Sequence, residues 1–239
     1  MSNVLIEKLR DKLIELSHFG CSLSLLGWDQ EVNMPPKGAD KRADTIAYFT
    51  GLAHQKLKEI DKDKTLTKLI KLMDADKLSA GEKAVVREVK RGFDKMIRLP
   101  DSFIKELAGT ASKAQSVWVE ARHKSDFDMF LPWLKKIITL KRKEAELIGY
   151  KFSPYDALLD TFEPELTAED TSRILNDLKD FLVPFIEQIR KSKSKIVKKL
   201  GEGKFAVDKQ IEFNKLIALK MGFDIDAGRI DKSAHPFTT

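Results

Sequence analysis

Apolar residues recur every three or four positions along most of this chain, and this spacing restricts the possible fold more than any other feature. The first such stretch covers residues 4–26, where the apolar stripe consists of Leu5, Leu9, Leu13, Leu16, Phe19, Leu23 and Leu26. A stripe with this period is the apolar face of an amphipathic helix. Only 8 prolines and 12 glycines interrupt the 239 residues, which favours long helices over a turn-rich sheet. The sequence therefore predicts an all-α fold, a bundle of long helices.

The same spacing, together with residues that begin and end helices, predicts the remaining elements. Further helices are expected over residues 37–60, 66–73, 79–99, 101–123, 132–149, 167–189 and 208–221, with a short one after Ser153. Gly27 is expected to end the first helix, and Pro132 to begin the sixth. Ser79 and Glu82 have the spacing of a capping box. Because there is no internal repeat or linker, residues 1–239 are expected to form a single helical domain.

The helical spacing stops close to the end of the chain. Phe223, Ile225 and Ala227 alternate there with Asp224 and Asp226. Alternation with a period of two is typical of a half-buried strand rather than of a helix. We therefore expect a small β-like segment at the C-terminal end.

The net charge raises the question of nucleic-acid binding. The formal charge is +6, but the basic residues are dispersed among acidic ones at helical spacing, as on solvent-exposed helix faces. The densest basic run, Arg190–Lys204, is followed by Phe205 but contains no interleaved aromatic residues on which bases could stack. The sequence therefore predicts no nucleic-acid partner.

Several features bear on where the protein resides. No segment reaches 18 apolar residues, and charges stand at Glu7, Lys8 and Arg10, where a signal peptide would need an apolar run. The single cysteine, Cys21, excludes an internal disulfide and lies in an apolar-periodic segment. We expect it to be a buried free thiol in a reducing compartment. These features predict a cytoplasmic protein without a membrane partner.

Side chains that could carry chemistry are few. The candidate metal ligands are the four histidines His18, His54, His123 and His235. None has a second histidine three or four positions away, so no helix face carries the paired ligands of a zinc site. Asp29 and Glu31 form a carboxylate pair that could do acid–base work, although a cap or an ion pair is the commoner role for such residues. The residues alone yield no complete active site.

Five segments, taken in order, resemble the carboxypeptidase Taq family of zinc metallocarboxypeptidases. They are Leu26-Gly27-Trp28-Asp29-x-Glu31-x-x-Met34-Pro35 with Arg42-Ala43; Trp118-x-x-Ala121-Arg122 with Ser125-Asp126-Phe127; Gly149-Tyr150 with Pro154-Tyr155-Asp156-Ala157-Leu158-Leu159-Asp160; Phe162-Glu163-Pro164 with Thr167; and Gly222-Phe223-Asp224 through His235-Pro236-Phe237-Thr238. Together they extend over essentially the whole chain. Two local departures are Glu165, where the family commonly has Gly, and Gln55, where it commonly has Glu.

The resemblance implies a zinc cofactor whose ligands this chain does not contain. Family members are considerably longer, and their H-E-x-x-H helix and a further Glu ligand follow the His-Pro-Phe motif. In the family, zinc activates a water that attacks the C-terminal peptide bond, with the Glu of H-E-x-x-H as general base. Only His235, Pro236 and Phe237 carry over, as a motif near the substrate groove. No catalytic residue and no metal ligand is assigned within the chain.

The resemblance thus implies the N-terminal portion of a longer enzyme that removes C-terminal amino acids from peptides. Its helices would form half of a zincin-like groove, and the chain alone is expected to be inactive. The implied partners are the C-termini of peptide substrates and, since family members are commonly homodimers, a second copy. The alternative is a stand-alone helical interaction module without catalysis.

Overall fold

The computed structural model describes residues 2–192 and 203–238, and the regular structure within these ranges is helical. The helices are α1 (Ser2–Val32), α2 (Ala39–Lys58), α3 (Thr65–Asp74), α4 (Ala80–Met96), α5 (Asp101–Lys124), α6 (Phe127–Ile148), α7 (Pro154–Leu159), α8 (Ala168–Lys191) and α9 (Val207–Lys220). Two short 3₁₀ helices, Pro36–Gly38 and Glu59–Asp61, flank α2. The all-α prediction is confirmed.

The chain divides into two compact units. Residues 1–168 and 237–239 form the first, which contains α1 to α7, and residues 169–236 form the second, which contains most of α8 and all of α9. Among the described residues, no helix is both long enough and apolar enough to cross a bilayer.

Two clusters of buried side chains hold the first unit together. One joins α1, α3 and α4 with the connections beside them, through Leu9, Ile60, Leu66, Leu69, Leu78 and Val86. The other joins α5, α6 and α7, through Leu99, Phe103, Ile104, Leu140, Ala145, Ile148 and Ala157. These are the apolar positions of amphipathic helices, so the 3.6-residue pattern of the sequence becomes the core.

The pairing of α2 with α5 depends on small side chains. Ala43 on α2 is completely buried, and a Cβ placed on Gly109 of α5 would lie 3.4 Å from the Cβ of Ala47. Small residues at facing positions let two helix backbones approach closely. Because α2 packs against both α1 and α5, it lies between the two buried clusters.

Helix ends in the first unit largely follow the predicted capping residues. The hydroxyl of Ser79 accepts a hydrogen bond from the Glu82 amide, and the Glu82 carboxylate accepts one from the Ser79 amide, which completes the capping box of α4. The Ser79 hydroxyl and amide hold the pKa of Glu82 below its ordinary value. Gly149 follows α6 with φ +83, a conformation that favours glycine, and so accounts for the end of that helix.

Two predicted helix boundaries were wrong. Helix α1 continues through Gly27 to Val32, because Arg42 donates to the Leu26 carbonyl and to the Asp29 carboxylate and so anchors the final turns. A glycine inside a helix costs only about 1 kcal/mol, which such contacts offset. Helix α6 begins at Phe127, before Pro132, because the carboxylate of Asp126 accepts from the amide of Met129 and caps the helix there.

The predicted β-like segment at the C-terminal end is also wrong, since no strand occurs in residues 203–238. The alternation between Phe223 and Ala227 falls in a turn. The Asp224 carboxylate accepts from the Asp226 amide at 2.9 Å, and the Asp224 carbonyl accepts from the Gly228 amide at 2.9 Å. An aspartate that bonds to a nearby backbone amide competes with regular structure and favours a turn.

The side chain of Cys21 is exposed, which contradicts the prediction of a buried thiol. Leu9 is the buried residue of α1. Cys21 lies twelve positions further on, which places it roughly 120° around the helix from Leu9. Membership of an apolar-periodic segment did not by itself determine which way this side chain points.

The two helices of the second unit have an apolar face that the described residues of that unit leave exposed. Neither α8 nor α9 contains a buried residue. On α8 the exposed apolar side chains recur at steps of three or four and include Ile174, Leu178, Phe181, Phe185 and Ile189. We call these five residues the α8 stripe. Pro184 lies inside this helix, which continues beyond it to Lys191.

Candidate functional site

The motif that the sequence singled out, His235-Pro236-Phe237, lies at the surface of the chain without regular secondary structure. The Nδ1 atom of His235 lies 2.8 Å from the Pro236 carbonyl, and the Ser233 hydroxyl donates to the His235 carbonyl at 2.7 Å. A carbonyl only accepts, so Nδ1 carries the hydrogen in this contact. These bonds fix the local conformation of an exposed segment.

The remaining histidines take structural positions or lie on helices. His18 and His123 lie on α1 and α5. His54 on α2 is buried, and its ring contacts the Asp101 carboxylate and the Met96 carbonyl. Among residues 2–192 and 203–238, no group of three histidine, cysteine, aspartate or glutamate side chains could hold a metal ion. The residues present therefore do not fit a zinc site.

Asp29, one member of the carboxylate pair, takes the commoner of the two anticipated roles. Asp29 forms an ion pair with Arg42, a contact that closes the end of α1 onto the start of α2. Next to it, Gln30 and Ser112 exchange two hydrogen bonds: the Gln30 amide donates to the Ser112 carbonyl at 2.9 Å, and the Ser112 hydroxyl donates to the Gln30 side-chain oxygen at 2.7 Å. The first family-like segment thus anchors α1 to α2 and α5.

The third family-like segment anchors the connection between α6 and α8. Asp156 accepts from the Ser153 amide at 3.0 Å, as predicted for a short helix that begins there, and from the Ala168 amide at 2.8 Å. One carboxylate therefore holds the first turn of α7 against the first residue of α8. Asp160 accepts from the Glu165 amide at 2.7 Å, and Glu165 has φ +68. The family's usual glycine would adopt this φ without strain.

For two other features that the sequence singled out, the structure shows where they lie but gives them no functional role. The indole of Trp118 has the Arg122 guanidinium 5.4 Å from its ring centroid, so two residues of the second segment stack on α5. The basic run Arg190–Lys204 falls mostly on residues 193–202, which lie outside the described part of the chain.

One group of functional candidates escaped the sequence analysis. Basic residues recur along α4 and the turn after it at steps of four, four and three, namely Arg87, Arg91, Lys95 and Arg98. They line one wall of a cleft opposite α7. The spacing was visible in the sequence, but helical basic residues usually occupy solvent-exposed faces. Most residues of the opposing wall lie fifty or more positions further along the chain.

Comparison with known proteins gives a consistent result. The sequence pattern of one family, the carboxypeptidase Taq (M32) metallopeptidases, matches residues 8–239. The chain is 31% identical over 234 residues to carboxypeptidase 1 of Bacillus subtilis, covering 96% of this chain and 45% of that protein. It is 34% identical over 240 residues to thermostable carboxypeptidase 1 of Pyrococcus furiosus, covering 99% of this chain and 47% of that protein.

Solved structures agree with this similarity. A crystal structure of BsuCP superposes with a TM-score of 0.89 at 29% identity, covering 98% of this chain and 47% of that one. Metallocarboxypeptidase 1 of Trypanosoma cruzi gives a TM-score of 0.75 at 29% identity, again covering 98% of this chain and 47% of that one. The chain thus spans less than half the length of the relatives that it matches.

Proposed function

The chain belongs to the carboxypeptidase Taq (M32) metallopeptidase family, and on this premise we propose that it is the N-terminal portion of a zinc metallocarboxypeptidase. The observation that carries the proposal is the match over residues 8–239 together with relatives of which the chain covers less than half. The activity proposed for the whole protein is release of C-terminal amino acids from peptides. Residues 1–239 would act there as one helical domain.

The proposed role of this portion is to wall the substrate groove. The helices of the first unit are joined by two buried clusters and by the Asp29–Arg42 and Gln30–Ser112 contacts, which supports a rigid scaffold. We assign to it half of a zincin-like groove. His235, Pro236 and Phe237 would lie near that groove and contact substrate rather than metal.

Zinc is the cofactor proposed for the whole protein. The sequence contains no H-E-x-x-H motif, and the described residues offer no set of three ligands. These two observations support the proposal that the chain alone is inactive. For the same reason no catalytic step is assigned to any of its side chains.

A peptidase assay tests this proposal. The purified chain, supplied with Zn²⁺ and an N-blocked dipeptide substrate, should release no C-terminal amino acid above the level of a zinc-only control. A zinc-dependent release that a chelator abolishes would overturn the missing-site argument. Bacillus subtilis carboxypeptidase 1, assayed in parallel, serves as the positive control for the substrate chosen.

A second candidate function is a stand-alone helical interaction module. The α8 stripe favours it, because monomeric proteins rarely expose apolar side chains in so regular a row. The nucleotide sequence that follows the codon for Thr239 separates the two candidates. An open frame that encodes H-E-x-x-H supports the enzyme, and a stop codon supports the module. In either case we propose a cytoplasmic protein that acts on or binds polypeptides, with a homodimer as its assembly and no nucleic-acid partner.

A further inference from the structure

A cleft of about 480 Å³ lies within the first unit, between α4 and the segment that contains the end of α6 and the whole of α7. We call it the α4 cleft. Its size is within the range of sites that bind small molecules. Five cationic side chains line it, Arg87, Lys90, Arg91, Lys95 and Arg98. Four anionic ones also do, Asp94, Asp156, Asp160 and Glu165.

The cations form a continuous row. Arg87, Arg91 and Lys95 are separated by four positions each on α4, and Arg98 follows three positions later, so their side chains lie along one face of the helix. Exposure falls along the row, from 66% for the Arg87 side chain to 33% for Arg91 and 23% for Lys95. The row therefore leads from solvent into the cleft.

Two of the opposing carboxylates, those of Asp156 and Asp160, are already engaged by donors of the protein. Both oxygens of Asp156 accept backbone amides, those of Ser153 and Ala168. Asp160 accepts from the Glu165 amide and from Lys95, and it lies 3.6 Å from Arg91. These acids hold the wall of the cleft in place.

The three arginines of the cleft, in contrast, keep donors for a ligand. Arg91 uses Nε on Glu88 and Nη1 on the Asp160 carbonyl, and Arg98 uses Nη1 on the Ile148 carbonyl. A guanidinium has five N–H groups, so each arginine has donors beyond these. Arg87 is paired with the neighbouring Glu88 at 3.4 Å, a solvent-exposed contact of little strength.

At the inner end of the row, Lys95 lies beside the cation Arg91 and contacts the Asp160 carboxylate. Burial, and then the positive charge of Arg91, hold the pKa of Lys95 below its ordinary value. An added anion would favour the charged lysine, as the Asp160 carboxylate does. Guanidinium forks suit the tetrahedral oxygen geometry of phosphate, to which they donate in pairs.

We propose that the α4 cleft is a binding site for a small phosphate-class anion, with Arg87, Arg91, Lys95 and Arg98 as the donors. Ile148 and Ala157 also line the cleft, so it offers apolar contacts as well as charged ones. Binding here would not depend on the function proposed above. Recognition of phosphate oxygens by these cations would suit both free pyrophosphate and a phosphate ester.

Isothermal titration of the full chain with inorganic pyrophosphate, at about 50 mM salt, tests the site. We expect saturable one-to-one binding. Arg87→Gln removes an exposed donor that no buried contact of the fold requires, and it should weaken binding about tenfold, with Arg87→Lys restoring part of the affinity. The matched control is Arg10→Gln, an equally exposed arginine on α1 paired with Glu7, which should change binding by less than about twofold.

Three outcomes would overturn the proposal. The first is the absence of saturable binding. The second is equal weakening by Arg87→Gln and Arg10→Gln, which would indicate attraction by net charge alone. The third is citrate binding as tightly as pyrophosphate, which would exclude selectivity for phosphate. A parallel titration with glucose 6-phosphate distinguishes the sources: tighter binding than pyrophosphate favours an ester, weaker binding favours the free anion.

Discussion

The Nδ1 atom of His54 lies 2.8 Å from Oδ1 of Asp101. The other ring nitrogen lies 2.9 Å from the Met96 carbonyl, and the residue is only 3% exposed. A carboxylate and a carbonyl can only accept, so His54 is the donor in its contacts with them. One side chain of α2 thereby closes the connection between α4 and α5. Because Lys58 also donates to Asp101 at 2.5 Å, that carboxylate receives two positively polarised groups.

The first prediction concerns stability in acid. Donation from Lys58, and then from His54 and Gln55, holds the pKa of Asp101 at about 2, against an ordinary value of 3.8. The contribution of this carboxylate to stability is therefore present above pH 3.8 and is lost as the pH falls through 2. Since a third of the side chain is exposed, we expect about 1 kcal/mol rather than the full linkage value.

Urea unfolding of the wild type and of Asp101→Asn measures this contribution. The variant should be less stable by about 1 kcal/mol at neutral pH, and the gap should shrink as the pH falls from 4 towards 2. Asp128→Asn, in the first turn of α6, is the matched control for the helix dipole. A gap that stays constant over this pH range would contradict the assignment of the effect to ionised Asp101.

The second prediction tests the buried cluster of α1, α3 and α4. Leu69 on α3 is completely buried, and Leu69→Ala should lower the free energy of unfolding by about 3 kcal/mol because it leaves a cavity. Val85→Ala on α4 is the control, since Val85 is 46% exposed, and it should cost less than about 0.5 kcal/mol. Equal losses in a urea titration would show that this cluster is not the core.

The third prediction concerns the capping box of α4. Ser79→Ala removes the hydroxyl that accepts from the Glu82 amide and should lower the free energy of unfolding by about 1 kcal/mol. Ser17→Ala on α1 serves as the control, since the exposed Ser17 hydroxyl donates to the Ile14 carbonyl within the same helix. It should be neutral or slightly stabilising. If Ser17→Ala lowered the free energy of unfolding as much as Ser79→Ala does, the effect could not be assigned to the cap.

Local signals predicted most of the fold, and the failures have identifiable causes. The apolar spacing placed α3 and α5 correctly, and the pair Ser79 and Glu82 marked the start of α4. Gly27 failed as a stop because Arg42, fifteen positions further on, anchors the end of α1. The alternation around Asp224 failed because a side-chain hydrogen bond makes a turn there. In both cases a polar contact outweighed a pattern of hydrophobicity or propensity.

Features that are local in sequence could be predicted, and contacts between distant residues could not. Resemblance identified the family, because motifs such as His235-Pro236-Phe237 are local in sequence. The contact of His54 with Asp101 and the opposition of Lys95 to Asp160 join residues 47 and 65 positions apart. No spacing rule within one helix connects such residues. They became candidates only when the packing of α2, α4, α5 and α7 was known.

The last prediction concerns the α8 stripe. Phe181 and Phe185 are 64% and 45% exposed, and their rings stack with centroids 5.7 Å apart. An apolar row of this kind should drive self-association of the isolated chain. Replacing both by serine should raise the monomeric fraction in sedimentation velocity, while the midpoint of thermal unfolding moves by less than about 2 °C. The double change Lys179→Ser with Asp180→Ser, on the same helix and without net charge change, should leave association unaltered. The contrary outcome is a double serine variant that unfolds at a markedly lower temperature while its association is unchanged. In that case the two rings belong to a core of this chain, and the α8 stripe is not a surface for a partner.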